Sequence, residues 1–204
     1  FQLKTTIAHL STVEGMHLCL AAKENGIDIK TEICFHHLLL NSEDNNDNYF
    51  QVNPPLRKKK TQKAIFDLLS SFDYLVTDHA PHTYEEKITK DPLSVSGLPG
   101  LDTYGLMIAY LIKEMKVDPT LLCRLSSYNP SKIFNYFYNL QQRHTKNSET
   151  NENLFLGDIK ENYHGKFAIL DFSKQTIINK SFIKSKCKHS PYEGMTINAQ
   201  VTLL

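Results

Sequence analysis

Along the chain, apolar positions alternate between a two-residue and a roughly 3.6-residue period, and each change of period marks an element. Residues 3–10 are rich in Thr and Ile and run into Ala8-His9-Leu10-Ser11-Thr12, a β-type stretch that hands His9 to its C-terminal end. Ser11 or Thr12 then caps a helix reaching to about residue 25, with Val13, Met16 and Leu20 on one face and Gly26 as its stop. Residues 27–34 alternate as a second strand that leads into Phe35-His36-His37-Leu38. A helix over residues 61–70 turns Ala64, Ile65, Leu68 and Leu69 inward, and Phe72-Asp73-Tyr74-Leu75-Val76 reads as a third, buried strand. Strands alternating with helices predict an α/β fold, either a parallel barrel or a doubly wound sheet.

The second half changes texture. Residues 83–92 are charged and loop-like, and helices are expected at about residues 103–115, 119–126 and 130–137, the last two opened by Pro119 and Pro130. Residues 141–153 (QQRHTKNSETNEN) are polar and read as a disordered insertion. From residue 154 onward short strands follow, at residues 165–171, 176–178 and 196–204. The chain thus divides into residues 1–140, an insertion at 141–153, and a small β segment at 154–204.

Composition narrows the function classes. The chain has 204 residues, 41% hydrophobic and 22% charged, enough for one sizeable core with a small appendage. A net charge of +1 argues against nucleic acid or a membrane surface as the main partner. The four cysteines, Cys19, Cys34, Cys123 and Cys187, form no CxxC pair, which favours a reduced, cytoplasmic setting. No apolar run reaches membrane-spanning length, and the N-terminus lacks a signal-peptide pattern. Phe1 stands where an initiator Met would be, so the chain is expected to be cut from something longer.

Chemistry concentrates at Thr77-Asp78-His79-Ala80-Pro81-His82, directly after the third strand. Pro81 stiffens the turn and stops the strand, so Asp78 and His82 can face one pocket. A carboxylate there can ligate a metal or move a proton, and an imidazole can bind an anion or a metal. By itself the cluster is equally well read as two solvated histidines and a turn-capping Asp. His36 and His37 are neighbours on an extended segment, so at most one can enter a given site, and both are read as structural or supporting. In Val52-Asn53-Pro54-Pro55-Leu56-Arg57 two prolines hold the backbone extended and present Asn53. Ser96-Gly97-Leu98-Pro99-Gly100 lets backbone approach a ligand, or is an ordinary turn. The polar stretch at residues 41–49 is assigned no chemistry.

Taken together, these motifs resemble a known family. His9-Leu10-Ser11-Thr12, Glu32 with His36-His37-Leu38, Asn53-Pro54-Pro55-Leu56-Arg57, the run from Thr77 to His82 with Glu86-Lys87, and Gly97 stand in the order seen in dihydroorotases that carry TDHAPH. Asn129-Pro130-Ser131-Lys132-Ile133-Phe134, the GKFAILD stretch and Ser190-Pro191-Tyr192-Glu193-Gly194 resemble that family's closing β segment. The resemblance implies the C-terminal part of a TIM-type (β/α)8 metal-dependent hydrolase barrel with a small β appendage. It also implies zinc-dependent, reversible cyclisation of N-carbamoyl-L-aspartate to L-dihydroorotate in pyrimidine synthesis.

Carried over residue by residue, the resemblance makes His9 a ligand of one of two zinc ions and Asp78 a ligand of the other. Asp78 would also accept a proton from the attacking oxygen and return it to the ring nitrogen. Asn53 and His82 would hold the substrate, and the backbone around Ser96 and Gly97 would hydrogen-bond its ring. The family's HxH metal pair, a substrate Arg and Asn, a bridging carboxylated Lys or Asp, and one more His ligand are expected before Phe1. About three of the eight barrel strands are expected within the chain. Another cyclic amidohydrolase, of allantoinase or dihydropyrimidinase type, stays open, as does a non-catalytic subunit. A homodimer or an association with aspartate transcarbamoylase would fit either.

Overall fold

The structure is a computed structural model that describes residues 3–89, 95–144, 155–161 and 163–203. The expectations for residues 90–92 and 145–153 lie outside the described residues.

Three parallel strands organise the first part: β1 (Thr5–Ile7), β2 (Ile29–Cys34) and β3 (Tyr74–Val76), in the order β1-β2-β3. Thr5 pairs with Ile29 and Ile7 with Thr31, while Glu32 pairs with Tyr74 and Cys34 with Val76. Because the strands are parallel, their C-terminal ends lie on one edge of the sheet. The connections are helical, as alternation in the sequence implied. Helix α1 (Val13–Glu24) starts at Thr12, whose hydroxyl accepts from the Gly15 N–H, and the chain leaves it through Gly26 at φ 78°. Its inner face buries Met16 and Cys19. Between β2 and β3 lie α2 (Phe35–Leu39), a short 3-10 turn at Asn48–Phe50, and α3 (Lys59–Asp67), which buries Ile65.

At the other edge, Asp73 ties β2 to β3. Its carboxylate accepts from Lys23 Nζ at 2.7 Å and from the Thr31 N–H at 3.0 Å, with Lys30 Nζ 3.6 Å away. Burial alone would raise the Asp73 carboxyl, but those partners outweigh it and hold it below its ordinary value.

Residues 83–92 were expected as loop. Their described part instead forms α4 (Tyr84–Ile88), because Thr83 and Glu86 make a reciprocal capping box: the Thr83 hydroxyl accepts from the Glu86 N–H, and the Glu86 carboxylate from the Thr83 N–H. Next come α5 (Tyr104–Lys113), α6 (Pro119–Cys123) and α7 (Asn129–His144), with a π-helical turn at Arg124–Tyr128 joining the last two. Helix α7 runs to residue 144, so residues 141–144 of the expected insertion are helical.

The closing β segment is two antiparallel pairs. Strand β4 (Ala168–Asp171) pairs with β7 (Gln200–Leu203), and β5 (Thr176–Ile177) with β6 (Thr196–Ile197). Where one strand was expected at residues 196–204, a break at Asn198-Ala199 gives β6 and β7. This segment shares the main core: Ile178, Ile183, Tyr192, Ile197 and Ala199 pack in one buried cluster with Leu106, Met107, Ala109 and Leu111 of α5 and with Ile33 and Leu75 of the sheet. The segments approach closely at Gly105, where a Cβ would fall 2.9 Å from Val201 Cγ1. The Tyr104 hydroxyl donates to the Leu75 carbonyl at 2.7 Å and locks α5 onto β3. Among the described residues no helix is long and apolar enough to cross a membrane.

Candidate active site

The C-terminal edge of the parallel sheet gathers the titratable side chains. Each strand ends by delivering one of them within a few residues. His9 follows β1 and Asp78 follows β3, and both adopt positive φ, 52° and 47°. Such backbone is uncommon outside glycine and clusters where a side chain must be aimed rather than packed. The result is a close group: His9 Nδ1 lies 3.7 Å from Asp78 Oδ2 and 3.6 Å from Glu32 Oε1. The Glu32 carboxylate also accepts from the His9 backbone N–H at 3.3 Å.

His36, expected as structural or supporting, lies beside this group. The chain leaves β2 directly into α2, and in a helix successive side chains diverge by about 100°. His36 therefore turns toward the sheet edge, with Nε2 4.0 Å from Asp78 Oδ2, while His37 Nε2 bonds the Pro54 carbonyl at 2.8 Å. His36 is 2% exposed and its Nε2 has no hydrogen-bond partner. A buried ring nitrogen without a partner is costly unless something else satisfies it. Burial, with His37 and His9 beside it, pushes the His36 pKa down to about 2, so the imidazole is neutral and its lone pair is free. Burial raises the Asp78 carboxyl, against the opposing effect of His9.

Cys34, at the end of β2, completes the floor. Its Sγ is 3.2 Å from His9 Nδ1, and burial, then Asp78 and Glu32, push the thiol well above its ordinary value. It is therefore a neutral thiol under the site. Ligand atoms of His9, Cys34 and Asp78 all lie within 4.8 Å of one another, as do those of Cys34, His36 and His37, so Cys34 joins two neighbouring groups. Imidazoles and a carboxylate gathered at one sheet edge are donors that suit a zinc-like ion.

Around this group stand the segments expected to meet a ligand. The Asn53–Pro54 bond is cis, and Asn53 Nδ2 donates to Ser96 Oγ at 3.2 Å, so the two segments touch. Arg57 Nε donates to Ser11 Oγ at 3.1 Å beside the His9 turn. Residues 97–99 run alongside the TDHAPH turn: His79 bridges to Leu98 in parallel fashion and the Ala80 N–H donates to the Leu98 carbonyl. His79 Nδ1 accepts from the N–H groups of Gly100 and Leu101. His79 thus fastens the turn, whereas His82 faces Glu86, with Nδ1 3.9 Å from its carboxylate.

Two contacts here had no signal in local sequence. His189, from the closing β segment, is 4% exposed, bonds the His82 carbonyl through Nε2 at 2.8 Å, and meets the Tyr49 hydroxyl through Nδ1 at 2.9 Å. Asn41, in the stretch read as low-complexity loop, is buried and accepts from the N–H groups of Glu43 and Asp44.

No family model matches the chain. Curated proteins do. A dihydroorotase of Carboxydothermus hydrogenoformans is 31% identical over 199 residues, 95% of this chain and 42% of that protein. One from Lactobacillus leichmannii is 40% identical over 131 residues, 62% of this chain and 31% of that protein. This chain is similar to dihydroorotases. The similarity is to their C-terminal part, and the chain spans about two-fifths of the Carboxydothermus dihydroorotase. Solved structures agree in fold. An L-hydantoinase of Arthrobacter aurescens superposes with a TM-score of 0.81 at 22% identity, over 99% of this chain and 45% of its own. The Saccharomyces cerevisiae dihydroorotase in complex with 5-fluoroorotic acid gives 0.69 at 18% identity, over 98% and 52%. The chain therefore carries a mixed α/β fold shared with these solved structures.

Proposed function

We propose that this chain is the C-terminal part of a zinc-dependent dihydroorotase with a (β/α)8 barrel. Residues 1–140 would supply barrel elements and residues 154–204 a small β segment. The reaction is the reversible cyclisation of N-carbamoyl-L-aspartate to L-dihydroorotate, within pyrimidine synthesis in the cytoplasm. The observation that carries this reading is the convergence of His9, His36 and Asp78 at the ends of three adjacent parallel strands, with the His36 Nε2 unpartnered and facing Asp78.

His9, His36 and Asp78 would hold zinc, His36 adding an imidazole to the two ligands implied by resemblance. Bound there, the metal supplies Lewis acidity, polarising the scissile carbonyl and lowering the pKa of water. This chain's own groups would supply the following parts of the chemistry. Asp78 takes the proton from the attacking water and gives it to the departing ring nitrogen, and reverses both in cyclisation. Its burial favours the protonated form it must visit. Asn53 and His82 hold the substrate, and the backbone at Ser96 and Gly97 hydrogen-bonds its ring. The Asn53–Ser96 contact supports that grouping.

Dihydroorotate formation from N-carbamoyl-L-aspartate by zinc-loaded protein tests the reading, and turnover only of hydantoins or dihydropyrimidines would replace it. Within that assay, His82→Ala is expected to raise KM about tenfold with zinc content unchanged, the size of one lost charge-assisted hydrogen bond. Loss of zinc from this variant would mean that His82 is a ligand instead.

A further inference from the structure

Lys87, on α4, is the most anomalous charged residue of the chain: it is 0% exposed. Lysines are almost never fully buried unless paired, yet among the described residues no carboxylate forms a salt bridge with Lys87. Its ammonium instead donates to two backbone carbonyls, Gln51 at 2.7 Å and Val95 at 3.0 Å. Those carbonyls belong to the two segments that flank the candidate substrate site. The Gln51 carbonyl also accepts from the Gly97 N–H at 3.0 Å, and two residues on, Asn53 Nδ2 reaches Ser96 Oγ. The Thr83–Glu86 capping box anchors the short helix from which Lys87 projects, and that helix begins directly after His82.

We infer that Lys87 is a positioning residue, whose ammonium clamps residues 51–53 to residues 95–97 and so fixes the cradle for the cyclic amide. The inference rests on the proposed dihydroorotase reading for what the cradle holds, and on geometry alone for the clamp. Charge-assisted hydrogen bonds to two carbonyls are stronger than neutral ones, and one donor group spanning two segments sets their separation. A residue serving stability alone would be better replaced by an apolar side chain, because burial penalises the charge: it pushes the Lys87 pKa down to about 8.

The test compares wild type, Lys87→Met and Lys87→Gln by amide hydrogen exchange, which needs no turnover, and by steady-state kinetics with L-dihydroorotate. In Lys87→Met the amides of residues 51–53 and 95–101 are expected to exchange about tenfold faster, with α5 unchanged, and KM to rise about tenfold while kcat stays within about threefold. Lys87→Gln, too short to reach both carbonyls, shows the same pattern and decides the matter if Lys87→Met does not fold. Unchanged protection in both segments overturns the clamp. So does protection lost equally in α5 and the sheet, which makes Lys87 a packing residue. Selective loosening in a protein that does not turn over dihydroorotate upholds the clamp and removes the activity reading instead.

Discussion

Asp78→Asn lowers kcat for dihydroorotate hydrolysis by about 1,000-fold or more while the protein stays folded, the size expected when a positioned acid–base group is removed. The fold survives because Asp78 sits at φ 47°, a left-handed conformation that Asn tolerates as readily as Asp. The two side chains have nearly the same shape, so packing against His9 and His36 is kept, with Asp78 Oδ2 3.7 Å and 4.0 Å from their ring nitrogens. What disappears is the negative charge that, on the proposed reading, would hold a metal with those imidazoles, and the oxygen that would accept a proton. Steady-state kinetics beside a thermal melt checks both halves of the expectation. Near-normal turnover would remove Asp78 from the chemistry.

Gly97→Ala has the second large effect, and it comes through the backbone. Gly97 has φ 140°, where a side chain is strained, and a Cβ there would lie 2.6 Å from Ala80 Cβ and 2.7 Å from the Ala80 carbonyl oxygen. Neither neighbour can swing away, since Ala80 is held by its N–H bond to Leu98 and Gly97 by its N–H bond to Gln51. Residues 96–98 must therefore move off the turn that carries Asp78 and His82. Backbone strain of this kind costs about 1–3 kcal/mol of stability, and a displacement of about 1 Å at a reacting site costs about 100-fold in kcat/KM. Gly26→Ala is the control: Gly26 also has positive φ, 78°, but nothing lies within 4 Å of its Cβ position, so only stability falls and activity per folded molecule is unchanged. Equal kinetics for the two variants would contradict the close approach at Gly97.

Much of this was legible in sequence, for physical reasons. The β1-α1-β2 order comes from apolar period and from Thr12 and Gly26 at the ends of α1. The place of Asp78 at the sheet edge was legible because a buried strand that stops at Asp and Pro has to present its next side chains there, whereas the His82 ring lies 3.9 Å from the Glu86 carboxylate. The direction of His36 was not legible because the pair His36-His37 reads as extended chain, where neighbours point oppositely and neither is preferred. The one-turn helix α2 breaks that symmetry, and its signal was the abrupt stop of β-branched residues at Cys34. Helix α4 was overlooked although Thr83-Tyr84-Glu85-Glu86 spells a capping box, since its charges suggested loop. The roles of Lys87 and His189 were not legible at all. Their partners are backbone carbonyls brought close only by the fold, and for His189 the bonded carbonyl, that of His82, is distant in sequence.

Zinc affinity of wild type, His36→Asn and His37→Asn, measured by equilibrium dialysis at fixed pH, bears most directly on the central claim. The two histidines are adjacent and both buried, and each has one ring nitrogen without a hydrogen-bond partner, Nε2 in His36 and Nδ1 in His37; they differ in direction, since Nε2 of His36 faces Asp78 whereas Nε2 of His37 bonds Pro54. His36→Asn is expected to bind zinc at least about tenfold more weakly, since loss of a ligand costs no less than loss of a group supporting one, with His37→Asn close to wild type. Equal affinity for wild type and His36→Asn would contradict a metal centre built on the ends of these three strands.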